Sequence, residues 1–292
     1  MHLFWIDFGT GLATAAVVAL AATGLTLQFG ITNYINFAYG DFMALGALLT
    51  FALNNQALHL NFWVAAPIAA ILVGVFAVIA NQFLLAPFAR RFSNPALTMI
   101  VTFGLSLFMA NVATVIWTGN TLFYRMPISV DKKVGPFLWS PDVMVVMVFA
   151  VVVMILIHLL LKMTRLGKMM RALSDNTSLA LTSGIDVRQI TNVTWFMSGL
   201  LAGLGGIALA VQEANLTVTS AESYLFVIFA AVILGGIGSV YGAMLGALAI
   251  GLLTETAPLY INAGYKLDVG FFIVIVLLLF RPQGLVPRLG RS

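Results

Sequence analysis

The chain has 292 residues, of which 61% are apolar and only 8% charged, with a formal net charge of +4. A soluble domain carries about 25% charged residues, so a water-facing surface around one buried core is excluded, and the apolar side chains must face lipid or other membrane helices. The absence of cysteine excludes disulfides, thiolate metal sites and a cysteine nucleophile, and a charge of +4 spread over so many apolar segments points to no nucleic-acid partner.

A membrane helix needs about 20 apolar residues. The first candidate, residues 11–27, is preceded by Asp7 and by no lysine or arginine, so it reads as a first span rather than a cleaved signal peptide. Gln28 follows it, at a helix end, and carries no assigned role. The second candidate, residues 31–53, contains Asp41, the only formal charge well inside an apolar stretch. Such a residue is costly unless it is protonated, paired or in a wet cavity. Asn33, Asn36 and Gly40 follow at spacings of three and four, which predicts one shared helical face beside Asp41. Two roles are open for Asn36, Gly40 and Asp41: lining a substrate route, or holding a bent helix by buried hydrogen bonds. Asp41 is also placed to cap an internal helix start.

Residues 62–85, 96–117, 143–161 and 193–211 complete the next four candidates. Between them, residues 118–142 hold Pro127, Pro136 and Pro141 and read as an extracytoplasmic loop. The segments 212–223 and 255–266 are expected on that same side. Gly199 and Gly203, four residues apart, allow a close helix approach in lipid.

The loop 162–192 is the most informative. Lys162, Arg165, Lys168, Arg171 and Arg188 make it basic. Residues 168–182 predict a helix with Met169, Met170, Leu173, Leu179 and Ala180 on an apolar side. Gly184 is placed to end it in a left-handed conformation, and Asp186, with Gln189 three residues on, to cap the next helix. A helix, glycine turn and helix beside the membrane suits either a cytoplasmic partner or anionic lipid.

Residues 224–254 are too long for one ordinary span and are broken by Gly235, Gly236 and Gly238. Two short helices meeting at the glycines are expected. Gly238, Gly242 and Gly246 recur every four residues, a packing pattern. The last candidate is 267–280. The fold class is therefore all-α, a polytopic transmembrane bundle of about eight spans with a glycine-broken segment near the C-terminus.

Lysine and arginine concentrate in cytoplasmic loops. Arg90 and Arg91, the basic loop, and the tail with Arg281, Arg288 and Arg291 all lie inside if the glycine-broken stretch crosses twice. The N-terminus is then outside and the C-terminus inside, at the cost of Arg125, Lys132 and Lys133 outside. No phosphate-binding loop, nucleophile elbow or zinc-protease motif is present. His2, His59 and His158 are far apart, so no metal site and no cofactor are expected, and any nucleotide must bind another chain.

Residues 24–50, "GLTLQFGITNYINFAYGDFMALGALLT", resemble the early signature of the permease subunits of branched-chain amino-acid ABC importers. Residues 170–187 resemble their cytoplasmic coupling loop, residues 230–255 their late glycine-rich signature, and "RPQGL" at 281–285 their ending. The early motif is closer to the livH type than to its livM-type partner. Tyr39 stands where many relatives carry histidine. The resemblance implies a single permease domain over 1–292, with 162–192 as its coupling loop, in the bacterial inner membrane. It implies a second permease, cytoplasmic ATPases and a periplasmic binding protein, working by alternating access. It places Leu173, Ala180 and Gly184 in the ATPase-docking element, with Lys168 and Arg171 in electrostatic support, and Asn36, Gly40 and Asp41 near the path. A related branch moves urea or short amides. An ion-coupled secondary carrier is the other alternative, but it should show related halves or a midplane acid pair.

Overall fold

The structure is a computed structural model that describes residues 2–92, 94–117, 121–126, 129–217, 220–260, 262–280 and 284–286. Pro127 and the tail arginines Arg281, Arg288 and Arg291 lie outside the described residues. The chain is helical almost throughout. Helix α1 (His2–Thr32) is the central column; 89% of its most apolar window is buried. It packs along α9 (Val187–Gln212) and α11 (Val240–Thr256).

Asn33 ends α1. It adopts a left-handed conformation, φ 56°, which asparagine tolerates better than most residues. Residues 33–38 are not helical, and α2 (Tyr39–Phe51) starts beyond them. Asn33, Asn36 and Gly40 therefore do not share one helical face, because the helix assumed to carry them is interrupted. Asp41 lies in the first turn of α2 but is not its N-cap, which is Ala38. Its position near the positive helix end still favours a negative charge.

A six-residue π-helical segment, Ala52–Ala57, extends α2. Helix α3 (Phe62–Ala80) runs through a second π-helical segment, Asn81–Leu85, into α4 (Ala86–Arg91). Then come α5 (Pro95–Trp117) and α6 (Pro141–Met163). Before α6, strands β1 (Lys132–Val134) and β2 (Phe137–Trp139) form a small antiparallel hairpin. The expected single helix over 168–182 is two, α7 (Arg165–Asp175) and α8 (Thr177–Thr182). Asn176 divides them: its extended backbone leaves the helix, and its Oδ1 accepts from Leu179 N at 3.0 Å to cap α8. Gly184, φ +79°, ends α8, and Asp186 Oδ1 accepts from Gln189 N at 3.0 Å to cap α9.

The glycine-broken stretch forms α10 (Ser220–Gly235) and α11, with Gly236 and Gly238 in positive-φ conformations between them. The two helices pack closely. A Cβ on Gly235 would overlap the Gly242 carbonyl, and one on Gly246 the Ala231 carbonyl. The last helix is α12 (Lys266–Phe280). Beyond it, Leu285 N and Val286 N donate to the carbonyls of Leu234 and Gly235 at 2.8 and 3.0 Å. The tail thereby satisfies acceptors that the end of α10 leaves open.

Six helices, not eight, are long and apolar enough to cross a membrane among the described residues: Phe4–Thr32, Phe62–Arg91, Pro95–Trp117, Pro141–Met163, Val187–Gln212 and Val240–Leu259. The difference is length: the eight count residues 224–254 once and α11 qualifies there, so the two that fall out are α2 and α12, and α10 is short as well. The break at 33–38 leaves α2 with 13 residues, while α10 has 16 and α12 has 15. At 1.5 Å per residue these give about 20–24 Å, short of a hydrocarbon core of about 30 Å.

The bundle has two chemically distinct ends. At one, Trp139 Nε1 donates to Gly9 O at 2.9 Å, and the backbones of Leu122 and Leu216 pair at 2.8 and 2.9 Å. Gln212, Thr14, Glu255 and Lys266 join at the same end. At the other end lie the α6–α9 connection and the α10–α11 turn, where Tyr241 OH meets His158 Nδ1 at 2.9 Å.

Candidate functional site

The early motif folds into a buried polar cluster between α1, α2 and α9. Asn36 is fully buried. Its Oδ1 accepts from Ala38 N at 3.0 Å, which closes the turn into α2, and its Nδ2 donates to Gln28 Oε1 at 3.4 Å. Ser198 Oγ donates to the same oxygen at 3.2 Å. Tyr39 OH donates to Ala21 O at 2.8 Å and lies 3.3 Å from Ser198 O. Gly24 makes room for it: a Cβ there would overlap the Tyr39 hydroxyl. Phe37 N donates to Thr102 Oγ1 of α5 at 3.1 Å. The break between α1 and α2 is thus tied to two further helices.

The sequence reading missed Gln28, Tyr39 and Ser198 as members of this cluster. Gln28 carried a signal, a carboxamide at the end of an apolar run eight residues before Asn36. Its Nε2 is buried with no hydrogen-bond partner among the described residues, a cost that a purely structural cluster normally avoids. Gly40 and Asp41 are buried beside it at the start of α2. Asn36, Gly40 and Asp41 line none of the three large cavities.

Those cavities lie at the two ends. One of about 530 Å³ opens at the hairpin end, with Thr10, Asp131, Asp142 and Gln212 among its walls. Two, of about 640 and 770 Å³, flank α7 at the other end. None of these three cavities joins the two ends through the bundle centre.

In the basic loop, Leu173 and Ala180 are each 2% exposed and face the bundle. Lys168, Arg171 and Gly184 are exposed. On α8 the apolar side chains presented outward are Leu179 and Leu181, at 64% and 57% exposure, and earlier in the loop Met163 and Leu166 are exposed too. Leu173 and Ala180 thus anchor the loop, and Leu179 and Leu181 form an exposed ridge on α8.

At the hairpin end, Thr14 Oγ1 donates to Glu255 Oε1 at 2.7 Å and accepts from Gln212 Nε2 at 2.6 Å; Lys266 Nζ pairs with Glu255 at 2.6 Å. Glu213, just beyond α9, is held above the usual carboxylate range by burial; Tyr224 and Lys266 oppose this and Glu255 adds to it. A raised acid stabilises the fold below its ordinary value, and that contribution is lost as pH rises through the raised one. The melting temperature is therefore expected to fall as pH rises above about 4.5. Glu213→Gln should flatten that part of the profile, as measured by thermal unfolding in detergent across pH 4–8.

A family model described as the permease component of the branched-chain amino acid transport system matches residues 8–280. The chain belongs to this family. It is 26% identical to the high-affinity branched-chain amino acid transport permease BraD of Pseudomonas aeruginosa, over 95% of this chain and 94% of the relative. It is 28% identical to the probable branched-chain amino acid transport permease LivH of Methanocaldococcus jannaschii, over 92% and 88%. These relatives lend no support to a urea or short-amide link. A solved structure of PsaBC from Streptococcus pneumoniae in complex with Fab matches at a TM-score of 0.52 and 16% identity, covering 94% of this chain and 91% of that one. That likeness concerns the fold alone. The permease is a multi-pass membrane protein and a transport component, not an enzyme.

Proposed function

We propose that this permease forms part of the path of an ATP-driven importer for branched-chain or other neutral amino acids. It pairs with a second, livM-type permease, is driven by separate cytoplasmic ATPases, and receives its solute from a periplasmic binding protein. The family match over residues 8–280 carries this reading. Chain 1–292 acts as one permease domain, with 162–192 as its coupling loop.

Orientation follows from the two ends. Arg90, Arg91, Lys162, Arg165, Lys168, Arg171 and Arg188 belong to the end with the α6–α9 connection, which favours the cytoplasm. The α10–α11 turn lies there too, and Glu255 lies at the opposite end beside Thr14. This supports α10 and α11 as two short crossings, an extracytoplasmic N-terminus and a cytoplasmic C-terminus. Short helices are tolerated where protein surrounds them. The membrane is then the bacterial inner membrane.

The Gln28–Asn36–Ser198 cluster and the neighbouring Gly40 and Asp41 sit where α1 breaks. A break whose hydrogen bonds reach α5 and α9 is suited to rearrange between inward and outward states. The glycines Gly235, Gly236, Gly238, Gly242 and Gly246 serve close packing of the α10–α11 hairpin.

The test is uptake of labelled leucine into proteoliposomes holding the permease, its partner permease, the ATPases and the binding protein. Uptake should require internal ATP and every partner. Uptake by this chain alone on an ion gradient would overturn the reading in favour of a carrier. ATP hydrolysis stimulated by urea or an amide, but not by leucine, would reassign the solute.

A further inference from the structure

The larger cytoplasmic-end cavity, about 770 Å³, lies between α1, α6, α7 and α11. Its walls are largely apolar, with Leu27, Leu161 and Met170 among them, yet its rim carries Lys162 and Arg171. Both cations are exposed. Asp175 also borders it, so the side-chain charge there is mixed but net positive.

Two further features point to an anionic ligand with an apolar body. The first is the N-terminus of α11, which opens onto the cavity at Ser239, Val240 and Tyr241. Ser239 Oγ accepts from Gly242 N at 3.1 Å. The opening amides of a helix have no acceptor within their own helix and carry its positive dipole end, which favours a phosphate. The second is Thr26. It borders the cavity, is 1% exposed, and its Oγ1 has no hydrogen-bond partner among the described residues. A buried hydroxyl left without a partner is uncommon and invites an acceptor.

Tyr241, Leu245 and Leu248 are 45%, 51% and 47% exposed and recur on one face of α11. They extend from the cavity mouth as an outward apolar stripe. A free phosphate has no use for such a stripe, whereas an acyl chain does. Basic pockets between membrane helices at the cytoplasmic face recur as anionic lipid sites.

We propose that this cavity holds an anionic phospholipid. Its phosphate lies among Lys162, Arg171 and the first amides of α11, a glycerol ester or phosphate oxygen accepts from Thr26 Oγ1, and an acyl chain runs along Tyr241, Leu245 and Leu248. Arg171 then serves lipid binding, whereas Leu179 and Leu181 are the ridge left for a protein partner. The inference rests on the chain being a membrane permease and is independent of its solute and of any ATPase.

The test uses the purified chain in neutral detergent, titrated with phosphatidylglycerol, phosphatidylcholine or inorganic phosphate, with bound lipid read by native mass spectrometry and stability by thermal unfolding. Phosphatidylglycerol should be preferred over phosphatidylcholine by about tenfold or more. Lys162→Gln with Arg171→Gln should remove that preference, and Thr26→Val should weaken phosphatidylglycerol retention. Arg90→Gln with Arg188→Gln, at the other cavity, should keep both. Equal retention of the two lipids, or an unchanged preference in the Lys162/Arg171 variant, would overturn the assignment. Stabilisation by inorganic phosphate equal to that by phosphatidylglycerol would overturn it too, in favour of a free-anion site.

Discussion

Replacing Leu179 and Leu181 together with aspartate is expected to abolish ATP-driven uptake while the membrane bundle stays folded. Both side chains are more than half exposed, on the short helix α8 at the end of the bundle opposite the hairpin. On the proposed importer reading, exposed apolar residues on this basic loop would seat in an apolar groove on the ATPase. A buried contact of this kind is worth about 2 kcal/mol or more in binding, or about thirtyfold in affinity. Two carboxylates placed there add a desolvation cost on top. The isolated chain should lose little, because exposed positions away from caps and core cost within about 0.5 kcal/mol. The expected outcome is uptake and solute-stimulated ATP hydrolysis reduced at least about thirtyfold, with an unchanged melting temperature for the permease alone. Unchanged uptake in the double variant would remove this ridge from the coupling contact. Leu173 is an unsuitable probe by comparison. It is 2% exposed, so truncation to alanine costs about 2–5 kcal/mol in packing and removes transport by unfolding the loop.

The parts of this architecture governed by composition and by single strong backbone signals were readable from the sequence. Charge at 8% of residues forces a membrane protein. Gly184 and Asp186 occupy the helix-end positions their chemistry favours, and the glycines at 235–238 separate two helices as their spacing implies. The resemblance in three separated motifs led to the family that matches residues 8–280.

The breaks made by asparagine were not readable in the same way. Asn33 and Asn176 both sit inside segments whose overall pattern favours helix. Gly30 suggests a boundary just before residue 31, whereas the helix runs on to Thr32 and breaks over 33–38; Asn176 has no proline or glycine beside it and falls inside the helix expected over 168–182. Asparagine ends a helix when its own side chain or backbone finds a better partner, and that partner depends on tertiary contacts. The same applies to Gln28. Its hydrogen bonds reach Asn36 and Ser198, the latter 170 positions away, and no local pattern encodes that meeting. One of the two spans missing from the expected eight was lost for a related reason, since the interruption at 33–38 shortened α2 below crossing length; the other, α12, has only 15 residues. The polar cluster was therefore half visible: Asn36 was singled out, and the residues that hold it were not.

Gly206→Ala is expected to destabilise the bundle by about 2 kcal/mol, although alanine is the better helix former. Gly206 lies in α9 where α2 crosses it, and an added Cβ would overlap the carbonyl oxygen of Met43. Three residues earlier on α9, Gly203 meets the backbone of Gly46 in the same way, since a Cβ on Gly46 would stand 2.5 Å from the Gly203 Cα. The close approach of these two helices thus depends on missing side chains from both. The obstacle is backbone, which cannot rotate away as a side-chain tip does. Relief requires α2 to shift, and α2 is held to α1 by the Tyr39 hydroxyl and by the Asn36 turn. Overpacking of this sort costs about 1–3 kcal/mol and more where backbone must move, against a gain of about 1 kcal/mol in helix propensity. Gly104 supplies the control. It too is helical, in α5, but a Cβ there meets nothing within 4 Å. Gly104→Ala should leave the melting temperature of the detergent-purified chain unchanged or slightly raised. Gly206→Ala should lower it by several degrees, in keeping with a net loss of about 2 kcal/mol. Equal melting temperatures for the two variants would show that α2 and α9 are not in backbone contact and that the break after α1 is not clamped by their packing.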